Sequence, residues 1–174
     1  MLIAALVAGL VAFLAAGAGC FALVSGSRNT TGPIDCGGDR CIPTLRVGPV
    51  VDALKSQGHD CNLDGGDWVC KLSIGAVYYE ASIGAAPGDQ ISEVRGTVTK
   101  PEGSPLSARS VNYLVWLASL PFAGDKPTTS QIRTWVSERV KDSKDSKAKI
   151  SGYEYELDSS NQHEIAFSVR GMRS

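Results

Sequence analysis

The chain has 174 residues, with 17 basic and 18 acidic side chains and a formal net charge of −1. This length leaves room for a short leader and one domain with a sizeable core. A nearly neutral chain has neither the positive surface that nucleic-acid binding requires nor a cluster of lysine and arginine for anionic lipid. We therefore expect no nucleic-acid partner.

The first 24 residues, Met1 to Val24, form an apolar segment without a charged side chain. As a helix, this segment spans about 36 Å, whereas the hydrocarbon core of a membrane is about 30 Å thick. A helix also satisfies its own backbone hydrogen bonds, as lipid requires. The segment therefore predicts a transmembrane anchor at 1–24, so that the membrane is the first expected partner.

Two other interpretations of this segment stay open. Cleavage near the small residues at 15–19 would make it a signal peptide and the product a secreted protein. The stretch Gly17-Ala18-Gly19-Cys20 resembles a bacterial lipobox, and this resemblance implies lipidation of Cys20. Gly17 departs from the pattern, which has Leu or a similar residue there. We rank the anchor first, and within it Cys20 is a small apolar residue of the membrane helix.

Four cysteines follow the segment, and an even number beyond a membrane helix indicates disulfide bonds in an oxidising compartment. Residues 61–70 predict a hairpin with Gly65-Gly66 as its two-residue turn. Counting outward from the turn places Cys61 opposite Cys70, with Cα atoms about 4.5 Å apart, within reach of a disulfide. Cys36 and Cys41 are then expected to form the second disulfide.

A metal site is the alternative interpretation of these cysteines and of the residues around them. A four-cysteine zinc site usually brings its cysteines in pairs two to four residues apart, whereas four and eight residues intervene here. The stretch from Asp60 to Gly65 resembles the first half of an EF-hand loop, but Lys71 stands where the bidentate Glu is required. We therefore expect no metal and no other cofactor.

The direction of insertion depends on two signals that disagree. No basic residue precedes the apolar segment and Arg28 is the first after it, which weakly favours a cytoplasmic C-terminal part. The cysteines favour the opposite side, and we give them more weight. The expected protein is single-pass in the cell membrane, with its C-terminal domain outside the cytoplasm; the alternatives are a lipoprotein and a secreted protein.

Residues 25–45 are rich in Gly, Ser, Thr and Pro and predict a spacer, which is followed by a domain at 46–174. Hydrophobic periodicity and breaker residues predict the elements of that domain. In chain order these are a helix at 49–57, strands at 61–63, 67–73, 76–83 and 91–99, a helix at 105–120, a helix that begins at the capping box Thr128-x-x-Gln131, and strands at 153–157 and 165–169. The charge repeat at 141–147 predicts a solvated helix end and loop.

This order, α-β-β-β-β-α-α-β-β, predicts a two-layer α+β domain in which an antiparallel sheet packs on about three helices. The strict alternation of apolar and polar residues in the last two strands indicates a sheet with one covered face and one wet face. The exposed face of the sheet is the expected binding surface.

The sequence contains no nucleophile motif, and its two histidines, His59 and His163, are each expected near a turn. This favours a non-catalytic domain that binds a protein or a cell-envelope ligand. The alternative is a small extracytoplasmic hydrolase, in which one of these histidines lies beside a serine or an aspartate.

The leader rich in Ala, Gly and Val, the Gly/Thr spacer and the pairs Cys36–Cys41 and Cys61–Cys70 resemble those of small exported or membrane-anchored proteins of high-GC Gram-positive bacteria. The resemblance extends over the whole chain, and it is one of general composition and layout. It implies a location in the cell envelope, and it implies no activity and no functional residues.

Overall fold

The structure is a computed structural model that describes residues 40–161 and 163–171. The predicted anchor at 1–24, Cys20, Cys36 and most of the spacer lie outside these described residues. Within the described ranges, no helix is both long enough and apolar enough to cross a membrane.

The described part of the chain contains three α-helices, one short 3-10 helix and seven strands. In chain order they are α1 (Val47–Ser56), β1 (Asp60–Asp64), β2 (Asp67–Ile74), β3 (Val77–Ala86), β4 (Gln90–Thr99), α2 (Ala108–Ala118), the 3-10 helix (Leu120–Phe122), α3 (Lys126–Asp142), β5 (Ser146–Ile150), β6 (Tyr153–Asp158) and β7 (Glu164–Gly171). The α+β class with three helices is confirmed, and the structure adds one strand, β5, to the predicted order.

All seven strands form one antiparallel sheet in the order β1-β2-β3-β4-β7-β6-β5. The helices lie on one face: α1 packs on β1, β2 and β3, α2 packs on β4 and β7, and α3 packs on α2 and β5. The core lies between the two layers, where side chains of alternate strand residues are buried. The other face of the sheet, which we call the open face, is not covered by these helices.

Gly96 sets the closest approach between the sheet and α2. A Cβ atom there would overlap the ring of Phe167 on β7 and the side chain of Leu117 on α2. Since glycine has no Cβ, both side chains lie directly over the backbone of β4. The core is thus thinnest under α2, where the sheet presents glycine instead of a side chain.

The third helix begins earlier than the sequence predicts. Asp125 is its N-cap and accepts a hydrogen bond from the backbone N–H of Thr128 over 3.1 Å. Thr128, the predicted N-cap, therefore lies in the first turn. Asp is a strong N-cap residue and Pro127 suits the first turn, so this pair outweighs the Thr128-x-x-Gln131 capping box.

Only part of the charge repeat at 141–147 forms the predicted helix end and loop. Helix α3 ends at Asp142, Ser143 adopts a left-handed conformation with φ 52°, and strand β5 begins at Ser146. Lys147 projects from the open face and its ammonium lies 2.9 Å from the carboxylate of Glu156 on β6. Edge strands often carry such outward lysines, which oppose pairing with other sheets.

The β1–β2 hairpin has the predicted register, with Asp64 opposite Asp67 and Cys61 opposite Cys70. A disulfide joins Cys61 and Cys70, whose Cα atoms are 3.9 Å apart, and this prediction is confirmed. Cys41 is buried and is also disulfide-bonded. Its predicted partner, Cys36, lies outside the described residues.

The first and the last residues of the described chain lie at the same end of the sheet. The backbone N–H of Ile42 donates to the carbonyl of Ile91 at the start of β4, over 2.7 Å. The backbone of Cys41 packs directly against Gly171 at the end of β7, leaving no room for a Cβ atom there. We call this the entry end; the far end contains the β2–β3 turn and the end of β4.

Candidate functional site

A groove opens at the far end of the domain, on the helix-covered side. Leu72 and Ile74 of β2 and Tyr79 of β3 form its floor. Its volume is about 210 Å³. It forms because α1 and α2 pack on different strands, so the sheet between their ends stays partly uncovered. We call it the aromatic groove.

The two helices supply the walls of this groove. On the α1 side the wall consists of Gln57 and His59, which directly follow the helix. On α2 it consists of Arg109, Asn112, Tyr113 and Trp116. The α2 residues are spaced i, i+3, i+4 and i+7, so they form one stripe along the helix. A neighbouring stripe that includes Leu114 and Leu117 faces the core.

Tyr113 is the centre of the groove. Its ring stacks on His59, with centroids 5.7 Å apart and an interplanar angle of 15°. It meets Tyr79 edge-on at 5.0 Å and Trp116 at a tilt, at 6.2 Å. Aromatic pairs in such geometries gain energy beyond the area they bury. The cluster therefore fixes the wall of the groove in place.

His59 is 6% exposed and both of its ring nitrogens have partners. Nδ1 lies 3.1 Å from the carbonyl oxygen of Leu54, and Nε2 lies 3.3 Å from the hydroxyl of Tyr113. Because a carbonyl only accepts, Nδ1 carries the hydrogen and Nε2 accepts from Tyr113. Burial lowers the pKa of His59, although the bond to Leu54 partly opposes this, so the ring is neutral at pH 7.

The phenol of Tyr113 is also held in its neutral form. Burial, with a smaller contribution from the negative charge of Glu80, raises the pKa of Tyr113 far above its usual value. The hydroxyl of Tyr79 lies 3.1 Å from that of Ser110, which lies 2.9 Å from that of Ser107. The polar groups beneath the groove thus bond to one another.

The structure does not assemble either histidine into the arrangement that a hydrolase requires. In the described ranges, His59 contacts a backbone carbonyl and a tyrosine, not a serine or an aspartate. His163 lies in an exposed turn at the far end, 3.5 Å from the carboxylate of Glu102. The same described residues contain no group of three or more His, Cys, Asp or Glu side chains positioned to hold a metal ion.

The open face of the sheet, the surface favoured by the sequence, carries charges that pair across strands. Glu93 on β4 lies 2.9 Å from Arg95 and 2.7 Å from Arg170 on β7. Burial by itself raises the pKa of Glu93, but hydrogen bonds from the two arginines lower it below its usual value overall. A depression of about 360 Å³ over β5, β6 and β7 includes Lys149 and Glu154. Mutual pairing leaves this face with little net charge for a partner.

The chain matches no protein-family model, and comparisons with curated proteins and with solved structures find no significant match.

The sequence points to His59 but not to the groove around it. The available signal was the stripe at 109, 112, 113 and 116 on α2, which is offset from the core stripe. The sequence predicts core or half-buried packing for Trp116; the side chain is half-buried and also lines the groove. A second amphipathic stripe beside the core stripe is the pattern that marks such a wall.

Proposed function

We propose that this chain is a membrane-tethered, non-catalytic domain that binds a protein or a cell-envelope ligand outside the cytoplasm, with the aromatic groove as its binding site. One observation carries the proposal. The groove presents aromatic and aliphatic side chains beside a few polar groups that already have partners. An apolar concave surface with a few placed polar groups is typical of a ligand site.

The state of the polar groups favours binding over catalysis. A general base needs an accessible nitrogen or carboxylate near a reacting proton. Nε2 of His59 accepts a hydrogen bond from Tyr113, and Nδ1 donates to Leu54. Among the described residues, neither imidazole lies in a hydrogen bond with a serine or an aspartate side chain, and we therefore propose one function.

The extracytoplasmic location is supported by the covalent framework. The disulfide between Cys61 and Cys70 joins two residues that are at most 8% exposed. Such structural disulfides are rare in reducing compartments. Together with the predicted anchor at 1–24 and spacer at 25–45, this supports a domain held at the outer surface of a membrane.

Site-specific photo-cross-linking in intact cells of the source organism tests this function. Benzoylphenylalanine is introduced at Asn112, at the exposed rim of the groove, and in a matched control at Glu138, an exposed residue of α3. We expect a discrete adduct from position 112 and none of the same mass from position 138. The substitution Ile74→Trp, which fills the groove, should abolish the adduct.

Two results would contradict the proposed function. The first is the absence of any adduct from position 112 in intact cells. The second is an adduct that forms equally from position 138 and persists in Ile74→Trp, because it would place the binding surface elsewhere on the domain.

A further inference from the structure

The sheet ends in two edge strands, β1 and β5, and each belongs to a hairpin with a two-residue turn. Hydrogen-bonded and non-hydrogen-bonded pairs alternate outward from such a turn. The backbone groups of Cys61 and Leu63 on β1, and of Lys147 and Lys149 on β5, therefore point away from the sheet. The turn and loop hydrogen bonds of the described residues use none of these groups. Each edge thus offers donors and acceptors to an added strand.

The two edges carry opposite charges on the open face. This face presents Asp60 and Asp64 on β1, and Lys147 and Lys149 on β5. Lys147 already pairs with Glu156 of its own chain, whereas Asp64 and Lys149 form no ion pair with the described residues. Opposite charges on neighbouring strands stabilise their pairing and like charges destabilise it. The lysines of β5 therefore oppose a second basic edge, but they complement the acidic edge of another copy.

Strand direction and the tether favour the same pairing. In this antiparallel sheet, β1 and β5 both run from the far end to the entry end. A second copy placed edge to edge, with its open face on the same side, therefore aligns its β5 parallel to β1. Its entry end then lies on the same side as that of the first copy, so both chains can be anchored in one membrane. Two β1 edges paired with their open faces on the same side would instead turn the entry ends in opposite directions.

One register of this parallel pair matches the side chains on both faces. It places Leu63 beside Ala148 of the second copy, so that the outward backbone groups of the two strands interleave. The N–H of Leu63 then donates to the carbonyl of Lys147, and the N–H of Lys149 donates to the carbonyl of Leu63. On the open face, Asp64 lies beside Lys149. On the helix side, the added strand covers Leu63, which is 63% exposed in a single copy.

We infer that β1 of one copy pairs in parallel with β5 of a second copy, so that membrane-tethered copies of this chain join their sheets edge to edge. Every added copy leaves one β1 and one β5 edge open at the ends, so the assembly extends beyond a dimer. Each edge strand has five residues and forms few hydrogen bonds, so the pairing depends on the high local concentration that a shared membrane provides. This inference goes beyond ligand binding and shares with the proposed function only the membrane tether.

Photo-cross-linking of the full-length chain in liposomes tests the pairing. Benzoylphenylalanine at Asn62, on the open face of β1, should form an adduct with residues 146–150 of a second chain, in a yield that rises with protein density. Within one chain, β1 and β5 are six strand spacings apart, about 29 Å at about 4.8 Å each, so this adduct has to join two copies. The matched control is Ser82, which lies in the same row across the strands but on β3, and it should form no such adduct.

Charge exchange tests the complementarity of the edges. Asp64→Lys and Lys149→Asp should each lower the yield of the adduct from position 62 by about fivefold, because like charges then meet. The double variant Asp64→Lys/Lys149→Asp reverses the pair and should restore the yield. Asp52→Lys and Lys141→Asp make the same charge changes at exposed positions of α1 and α3, and they should leave the yield unchanged.

A proline tests the backbone contacts. Leu63→Pro lacks the outward N–H, whereas the hydrogen bonds between β1 and β2 use other residues of β1, so an edge strand tolerates it. This variant should abolish the adduct. Leu63→Ala keeps the N–H and should retain the adduct in a lower yield.

Three results would overturn the inference. The first is the absence of an adduct between position 62 and a second chain at every protein density. The second is an adduct whose yield changes neither with charge exchange nor in Leu63→Pro. The third is an adduct that joins position 62 to β1 of the second chain, because it would show a symmetric pair. The groove is tested separately from position 112, so each of these results leaves the proposed function standing.

Discussion

At the scale of single residues, His59 and Tyr113 link the fold to the groove. His59 holds the end of α1 through the carbonyl of Leu54 and holds α2 through the hydroxyl of Tyr113. Its ring also stacks on Tyr113. One imidazole thus joins two elements that lie far apart in the chain: in its neutral form Nδ1 donates to Leu54 and Nε2 accepts from Tyr113.

The burial of this imidazole makes stability depend on pH. An unfolded histidine titrates near pH 6.5, whereas burial lowers the pKa of folded His59. As the pH falls below about 7, the unfolded state therefore binds a proton that the folded state does not, and the free energy of unfolding decreases. We expect the free energy of unfolding, measured by urea unfolding at several pH values, to decrease between pH 7.5 and pH 5.5. The slope should correspond to the uptake of at most one proton on unfolding.

The variant His59→Asn should flatten this pH dependence, because its side chain does not titrate, while lowering stability at pH 7.5. His163→Asn is the matched control for removing an imidazole elsewhere in the domain. A slope that persists in His59→Asn would show that another group controls stability in this pH range. The carboxylates whose pKa is lowered, such as Glu93, act at a more acidic pH.

At the scale of secondary-structure elements, local sequence signals predicted the structure best where few backbone conformations are possible. Gly65 and Gly66 both have positive φ, so the turn fixes the register of β1 and β2 and thereby the disulfide. Strand β5 was missed because its Ser-Lys-Ala-Lys-Ile sequence is short and polar. It becomes a strand because its backbone pairs with β6, which a local pattern does not reveal.

The disulfide between Cys61 and Cys70 should stabilise the β1–β2 hairpin in particular. Strand β1 is an edge strand, with β2 as its neighbour in the sheet. Closing a loop of about ten residues is worth roughly 2–3 kcal/mol in the chain-entropy model. We expect the double variant Cys61→Ala/Cys70→Ala to lower the free energy of unfolding by about this amount, in urea unfolding, and to increase amide exchange in β1 first.

Leu63 supplies the control for this experiment. It lies on β1 and is 63% exposed, so Leu63→Ala removes a side chain from the same strand with an expected cost below about 0.5 kcal/mol. An unchanged unfolding midpoint in the double cysteine variant would contradict the stabilising role. The disulfide of Cys41 is intact in both variants, which keeps the comparison specific.

At the scale of the whole molecule, the two-layer class followed from the sequence, whereas the groove did not. The alternation in the last strands and the stripes of the helices are local patterns. The groove combines the end of α1, the floor strands β2 and β3, and α2, whose lining residues are separated by up to about 60 residues. Which residues remain uncovered depends on how far apart α1 and α2 pack on the sheet, and this distance is a property of the tertiary structure.

The final prediction concerns which end of the domain lies closer to the membrane. If residues 1–24 are the anchor, the 15 residues at 25–39 connect the membrane to the entry end. Fully extended they reach roughly 50 Å, and as a flexible coil about 20 Å. The entry end, with Ile42 and Ile91, should therefore approach the lipid surface more often than the far end, with Leu72 and Ile74.

Nanodiscs that contain nitroxide-labelled lipid headgroups measure this order in the full-length, methyl-labelled chain. Line broadening should be stronger for the methyls of Ile42 and Ile91 than for those of Leu72 and Ile74, while nanodiscs without the nitroxide provide the reference. If the predicted spacer behaves as a flexible coil, the difference should be graded. Equal broadening at the two ends, or stronger broadening at Ile74, would contradict this order and would mean that the groove faces the lipid.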